Sequence, residues 1–240
     1  MTPRTSKVEA IASHLLDGYL LLREKVALLE PMLFDQNVVT RHGQGFAGRG
    51  FNTLRHTLFL SCVQDIAKLC KDADARSPSI YNVVRTLRDG AICKELRNNF
   101  SVWAPPPAEP ETDPLILEAL HRINLSEQAQ RKEQFDELHV ELESRWEELN
   151  QSAVLGAFRQ VRDRVTAHTE IRQVADQYAP VDISSLGIRW NQIGETARRM
   201  ERLVELCGLL VRNASFAWEA LDFQLSRTSS GFWLAETGAR

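Results

Sequence analysis

The residues with the clearest chemical potential lie in one short stretch, residues 162–168, which reads RDRVTAH. It contains Arg162, the polar Asp163 directly after it, and His168 five residues further on. Arginine keeps its charge in a protein and grips phosphate oxygens with a planar fork, whereas histidine accepts or donates a proton near neutral pH. Together these residues suit the chemistry of an RNA phosphodiester.

The spacing of these residues resembles a family motif. An arginine, a polar residue, four further residues and a histidine, placed on a helix of a helical chain, are similar to the motif of the HEPN superfamily (higher eukaryotes and prokaryotes nucleotide-binding). The chain resembles in particular the abortive-infection HEPN proteins of the AbiU type. Arg162, Asp163 and His168 match the motif individually. The helical order from about residue 1 to residue 225 is compatible with an elongated HEPN bundle.

The resemblance implies an activity and a set of residue roles. The activity is RNA cleavage that needs no metal or other cofactor, by a toxin or abortive-infection effector in antiviral defence, with an antitoxin as a possible partner. Two copies would form a homodimer whose motifs face each other across a cleft and form one composite site. His168 would act as general base or general acid, Arg162 would stabilise charge on the phosphorus, Asp163 would orient either residue, and Arg164 would add phosphate binding.

Two simpler interpretations of the motif stay open. In the first, Arg162 and Asp163 form surface ion pairs and His168 bonds the last carbonyls of a helix. In the second, the chain is a non-catalytic helical module that binds RNA or protein in a defence or toxin–antitoxin pair. The sequence lacks the GxSxG, GxxxxGK[ST] and HExxH patterns of other enzyme classes.

The helix that carries the motif raises a geometric problem. Apolar spacing predicts one long helix from Glu127 to about Ala167, and His168 continues its buried stripe. Arg162 lies six residues earlier, which in a regular helix is a rotation of roughly 240°. We therefore expect either that the helix loosens near Thr166 and Thr169, or that the working arginine comes from a second subunit.

The remaining pattern predicts an all-α fold, an elongated up-and-down helical bundle with two long C-terminal helices. An N-terminal helix runs from Ser6 to about Leu29 and ends or restarts at Pro31, and a final helix runs from Ile193 for eight turns to Leu225. Residues 104–114 hold five of the nine prolines and form an extended linker. We expect residues 1–225 to be one domain containing that linker, although a two-domain split is possible, and residues 226–240 to be a flexible tail.

A glycine-rich stretch, residues 41–50, contains Gly43, Gly45 and Gly48 in the spacing GxGxxG. A dinucleotide site needs a strand before these glycines and a parallel sheet around them, and neither is indicated. We interpret the stretch as a flexible interhelical loop. A less favoured interpretation is a basic loop whose Arg41 and Arg49 touch RNA phosphate.

Composition narrows the possible partners and the compartment. The 29 basic and 32 acidic residues give a net charge of −3, so any RNA contact must use a local patch. Four scattered cysteines show neither a zinc-site nor a disulfide pattern and are interpreted as small buried residues in a reducing cytoplasm. No stretch is long and apolar enough for a membrane span, and the N-terminus lacks a signal-peptide core, so we expect a cytoplasmic protein.

Overall fold

A computed structural model describes residues 2–102, 113–166, 171–174, 177–180 and 187–234. Within these ranges the chain forms helices α1 Pro3–Phe34, α2 Gln36–His42, α3 Gly45–Lys71, α4 Ile80–Leu87, α5 Gly90–Ser101, α6 Pro114–Asn150, α7 Ala153–Val161, α8 Asn191–Arg212 and α9 Trp218–Leu234. A π-helical turn, Arg162–Thr166, follows α7, and an antiparallel hairpin, β1 Ile171–Val174 with β2 Gln177–Pro180, precedes α8. The all-α prediction is confirmed, and the hairpin is an addition that periodicity did not indicate.

The long helix α1 lies at the centre of the bundle and packs mainly against α3 and α8. Its Tyr19 hydroxyl donates to the carbonyl of Ala197 in α8 at 2.8 Å, and Arg23 pairs with both Glu201 and Asp222. Burial raises the pKa of Tyr19 above its ordinary value. One continuous apolar cluster contains side chains of α1, α3, α4 and α5 and of α6, α7 and α8. The predicted extended linker between α5 and α6 lies, apart from its last two residues, outside the described part of the chain.

The expectation that α1 ends or restarts at Pro31 is wrong, because the helix continues to Phe34. Proline has no N–H, so the carbonyl of Ala27, four residues earlier, loses its helical donor. The hydroxyl of Ser229 in α9 donates to that carbonyl at 2.7 Å. A second helix therefore supplies the hydrogen bond that the proline removes.

The predicted helix from Glu127 to Ala167 is replaced by two helices with different limits. Helix α6 begins at Pro114, capped by Asp113, and ends at Asn150. Ser152 then caps α7 by accepting a hydrogen bond from the backbone N–H of Leu155 at 3.3 Å. The break coincides with a one-residue shift in the apolar spacing of the sequence, from Ala153 to Val154, because each helix buries its own face. The first part of α6, residues 114–134, buries no side chain.

The predicted eight-turn final helix and flexible tail are also revised. Helix α8 ends at Arg212, and Asn213 takes a left-handed conformation, φ 50°, at its C-cap. Asparagine tolerates that conformation better than most residues and therefore stops the helix. Helix α9 then covers residues 218–234 with Trp233 buried, so residues 226–234 are folded, and residues 235–240 lie outside the described part.

The glycine-rich stretch is mostly helical rather than a loop. Helix α2 ends at His42, and α3 begins at Gly45 after only Gly43 and Gln44. Gly45 has φ +62°, which favours glycine, and a Cβ atom on Gly48 would lie 2.4 Å from the carbonyl oxygen of Gly43. The glycines therefore permit a tight helix-to-helix turn and do not form a dinucleotide loop.

None of the helices in the described part of the chain combines the length and apolar character needed to cross a membrane.

Candidate functional site

The motif lies where helix α7 changes into the π-turn. Ser152 starts α7, and Leu155, Phe158 and Val161 bury its inner face, so the turn that follows is anchored to the core. From Arg162 to Thr166 the backbone is π-helical, with hydrogen bonds that span five residues instead of four. Single π-helical turns of this kind occur frequently at functional sites. The backbone thus leaves regular α-helix at the motif's arginine, slightly earlier than the sequence suggested.

Arg162 and Asp163 form a close ion pair at the start of the π-turn. The Nε and terminal nitrogen atoms of Arg162 lie 2.8 and 2.7 Å from Oδ1 of Asp163. Nε of Arg159, one turn earlier, lies 3.7 Å from the other carboxylate oxygen. Asp163 therefore sits between two guanidinium groups, and it holds Arg162 in one orientation. Arg164 is half-buried on the same turn.

His168 falls in residues 167–170, outside the described part of the chain. The structure brings Arg162, Asp163 and Arg164 together on one turn. The described part of the chain continues after His168 with strand β1. The pairing of β1 with β2 matches Ile171 with Pro180.

Helix α3 forms the wall beside the motif. Lys71, at the end of α3, donates to the carbonyl of Asn150 at 3.0 Å, just before α7 begins, and the π-turn at the far end of α7 also contacts α3. The start of α7 therefore lies at the end of α3, and the π-turn lies against α3 upstream of Lys71. Burial and the neighbouring Arg159 lower the pKa of Lys71.

In the N-terminal half of α3 the structure assembles a cluster of basic and aromatic residues that sequence reasoning did not bring together. The guanidinium of Arg55 lies 5.9 Å from the ring centre of Phe51 and 5.8 Å from that of Trp190. Trp190 also meets Phe59 edge-on, with ring centres 4.4 Å apart. Trp190 precedes α8 and is far from α3 in sequence, so no local pattern could have revealed this cluster.

A comparison with protein families shows to which family this chain belongs. The sequence profile of the HEPN AbiU2 family matches residues 5–232. The chain belongs to the AbiU2 family of HEPN proteins. It is therefore an HEPN module related to abortive infection. The match reaches into α9, and neither the curated proteins nor the solved structures contain a match to this chain.

The two remaining arginines named for RNA binding in this AbiU2-family chain occupy different settings. A terminal nitrogen of Arg41 donates to the carbonyl of Leu234 at 3.4 Å, so Arg41 caps the end of α9. His42 assists, with Nε2 3.2 Å from the carbonyl oxygen of Trp233. Arg49 lies beside a hollow of about 640 Å³ at the start of α3, together with Asn52 and His56.

One cysteine of the AbiU2-family chain lies beside a histidine. Sγ of Cys93 is 3.9 Å from Nδ1 of His139, and Nε2 of His139 is 3.9 Å from Oε1 of Glu143. The order is that of a nucleophile, base and acid, but burial and the nearby Asp136 raise the pKa of the Cys93 thiol. A reactive cysteine needs the opposite shift. Cys93 is therefore not an activated nucleophile.

The other three cysteines are fully buried, which confirms their predicted role as small core residues. Burial raises the pKa of Cys62, Cys70 and Cys207 to about 12. Their thiols therefore stay protonated and unreactive at neutral pH.

Proposed function

We propose that this AbiU2-family chain is an endoribonuclease that acts as a toxin or effector of abortive infection in antiviral defence. The observation that carries the proposal is the Arg-polar-x4-His motif, which lies in a chain matched by the family profile over residues 5–232. The π-turn at Arg162–Thr166 supports it, because the motif begins where the helix is locally unwound.

The mechanism uses His168 for proton transfer and Arg162 for charge stabilisation. His168 takes the proton of the ribose 2′-hydroxyl, or gives a proton to the 5′-oxygen that leaves. Each of these roles contributes about 10²–10⁴ in rate for a well-placed group. Arg162 donates to the phosphate oxygens as negative charge builds on the five-coordinate phosphorus. The chemistry needs only side chains of the protein.

Asp163 keeps Arg162 oriented between RNA-binding events. Its contacts of 2.7 and 2.8 Å with Arg162 fix the plane of the guanidinium. A phosphate that binds Arg162 competes with this carboxylate, so Arg159, 3.7 Å from the other oxygen, retains Asp163 when Arg162 turns to the phosphate.

The site is shared between two copies of the chain in a homodimer. The proposal of a shared site rests on the family resemblance, because the π-turn at Arg162–Thr166 replaces the regular helix whose rotation would turn Arg162 and His168 to different sides. Two motifs that face each other across a cleft place the arginine of one copy beside the histidine of the other. At the end of α7 Asp163 is exposed, and Arg162 and Arg164 are half-buried.

RNA is held by local positive charge, because the chain as a whole carries a net charge of −3. Arg164 lies on the motif turn and contacts the phosphate next to the scissile one. Arg49 contacts a more distant phosphate from the hollow at the start of α3. Arg41 already holds the end of α9, and its contact with RNA stays a prediction. A separate antitoxin restrains the activity in the cell.

The proposal is tested by RNA cleavage with purified protein. The wild type is expected to cleave RNA in the presence of EDTA. Arg162→Ala and His168→Ala are expected to lose at least 100-fold in rate, at the low end for a general acid or base. Arg122→Ala and His14→Ala, at exposed positions on α6 and α1, are matched controls that retain full activity. Two fully active motif variants would remove the site assignment.

A second function is favoured by one observation, the ion pairing of Arg162 with Asp163. A paired arginine at a helix end is also what a non-catalytic module would show, one that binds RNA or a protein partner in a defence pair. Expression in a bacterial host separates the two functions. A ribonuclease slows growth in a manner that depends on Arg162 and His168, whereas a binding module is harmless.

A further inference from the structure

A groove runs between the C-terminal half of α1 and the start of α8. Its volume is about 650 Å³, and a second cavity of about 470 Å³ continues it along α9. The two cavities share five lining residues, namely Val26, Glu30, Pro31, Gly194 and Arg198. Together they are large enough for a small organic ligand.

One end of the groove is aromatic. Trp190 and Phe34 line it and are 42% and 63% exposed. Trp190 is held in place by Phe59 at its edge and by Arg55 near its ring, so its orientation is fixed although part of it faces solvent. Aromatic side chains held open in a polar cleft bind flat heteroaromatic rings by stacking.

The middle of the groove carries one acidic and one basic side chain, those of Glu30 and Arg198. Glu30 and Arg198 form no ion pair or side-chain hydrogen bond within the described part of the chain. Helices α1 and α8 approach closely here, since a Cβ atom on Gly194 of α8 would lie 2.6 Å from Oε1 of Glu30 on α1. A terminal nitrogen of Arg198, one turn further along α8, would lie 4.0 Å from the same Cβ atom, so both charged groups face the same part of the groove. A ligand that fits must therefore offer N–H donors to the carboxylate and an anionic group to the guanidinium.

We propose that this groove binds a guanine nucleotide. The base stacks on Trp190 and Phe34, its N1–H and N2–H groups donate to the two oxygens of Glu30, and its phosphate pairs with Arg198. Guanine presents two adjacent N–H donors on one edge, which matches a carboxylate. Adenine, cytosine and uracil place a ring nitrogen acceptor or a carbonyl beside their donor, and that acceptor would face the carboxylate.

The same chemistry is present in a free guanine nucleotide and in a guanosine within RNA. The inference goes beyond the proposed function, because binding in this groove requires neither cleavage nor Arg162. If the guanosine belongs to RNA, the groove also sets the sequence preference of cleavage, since Trp190 links the groove to α3, the helix that the π-turn also contacts.

Calorimetry with GMP, AMP, CMP and UMP, and with a 2′-O-methyl RNA hexamer that contains one guanosine and resists cleavage, tests the inference. GMP is expected to bind at least tenfold more tightly than the other three nucleotides. Phe34→Ala and Arg198→Ala each weaken GMP binding at least fivefold, which corresponds to the loss of one stacking or phosphate contact. Glu30→Gln removes the preference for GMP over AMP.

The controls are Phe46→Ala and Arg122→Ala, which alter exposed residues outside the groove and leave GMP affinity unchanged. Phe34 and Arg198 are themselves exposed, so loss of folding does not explain their effect. A hexamer that binds more tightly than GMP identifies RNA as the source, and a hexamer that binds no better identifies a free nucleotide.

Equal affinity for all four nucleotides, no measurable binding of GMP or the hexamer, or GMP binding unaffected by Phe34→Ala and Arg198→Ala would overturn the inference. Its failure is separable from that of the proposed function. Arg162→Ala is expected to keep its GMP affinity while it loses cleavage. RNA cleavage by a protein that does not bind guanine refutes the groove assignment alone.

Discussion

The hydrogen bond from Ser229 to Ala27 explains how α1 tolerates Pro31. The proline removes the donor that would serve the Ala27 carbonyl, and the Ser229 hydroxyl replaces it at 2.7 Å from a position that is 6% exposed. Three further contacts hold α9 against α1 and α2. Trp233 donates to the carbonyl of Leu28 at 3.0 Å, and Arg41 and His42 contact the last carbonyls of α9. Ser229 is therefore expected to contribute to stability although it is a single small residue.

Ser229→Ala leaves the Ala27 carbonyl without its donor at the interface of two helices. The lost hydrogen bond and the unsatisfied acceptor together predict a fall of about 1–2 kcal/mol in the free energy of unfolding. For a chain of this size, that corresponds to a melting temperature lower by about 2–8 °C. Ser230→Ala, at the adjacent exposed position, is the matched control and should change stability by less than about 0.5 kcal/mol.

A double-mutant cycle separates this explanation from a general loss of packing. In Pro31→Ala the new backbone N–H can serve the Ala27 carbonyl, so Ser229→Ala should then cost less than about 0.5 kcal/mol. Urea denaturation of the four proteins measures the coupling. An equal cost of Ser229→Ala in both backgrounds would refute the reasoning.

Three further predictions concern other features of the fold. Arg202 holds the pKa of Glu141 at about 2, and a carboxyl with a lowered pKa stabilises the fold above its unfolded pKa and loses that effect as pH falls. Glu141→Gln should therefore lower the free energy of unfolding by about 1–2 kcal/mol at pH 7 but progressively less from pH 5 towards pH 2, and a pH-independent difference would contradict this. Gly48→Ala should lower the free energy of unfolding by about 1–3 kcal/mol because its Cβ would meet the Gly43 carbonyl. Gly50→Ala, whose Cβ meets nothing within 4 Å, should stabilise α3 by about 0.5–1 kcal/mol. Denaturation curves of the two variants with the same midpoint would contradict both expectations. Asn213→Ala should be about 1–2 kcal/mol less stable than Asn213→Gly because of the left-handed backbone, since both variants lose the hydrogen bond from Arg131 to the Asn213 side chain. Equal melting temperatures for the two variants would exclude strain at this cap.

Sequence periodicity predicted the helical class and most of the buried faces correctly. The stripe of α1, from Val8 to Leu29, is the centre of the core, because an apolar face that repeats every three to four residues has to be covered. The limits of helices were predicted less well. Asn213 and Ser152 end or start helices through local hydrogen bonds and backbone conformation, which periodicity does not register.

The parts that could not be predicted depend on contacts between distant residues. Pro31 was interpreted as a helix end because nothing near it in the sequence replaces its missing N–H donor. The residue that replaces this donor, Ser229, lies about 200 residues later. The spacing Leu225, Ser229 and Trp233 was a usable signal for α9, since residues four apart share a helix face. For the candidate site, the sequence indicated Arg162, Asp163 and a loosened helix, whereas the wall of Arg55, Phe59 and Trp190 arises only when α3 and the start of α8 meet.

The central claim is that Arg162 and His168 cleave RNA from opposite copies of the chain, and a mixing experiment tests it most directly. Arg162→Ala and His168→Ala proteins are each inactive when assayed alone. When the two proteins are mixed in equal amounts and exchange subunits, half of the dimers contain one copy of each. Each mixed dimer keeps one of the two Arg162–His168 pairs in the shared cleft. The account predicts recovery of about a quarter of wild-type cleavage, the share set by random pairing of a two-fold dimer. A mixture as inactive as its components, or a fully active single variant, would contradict it.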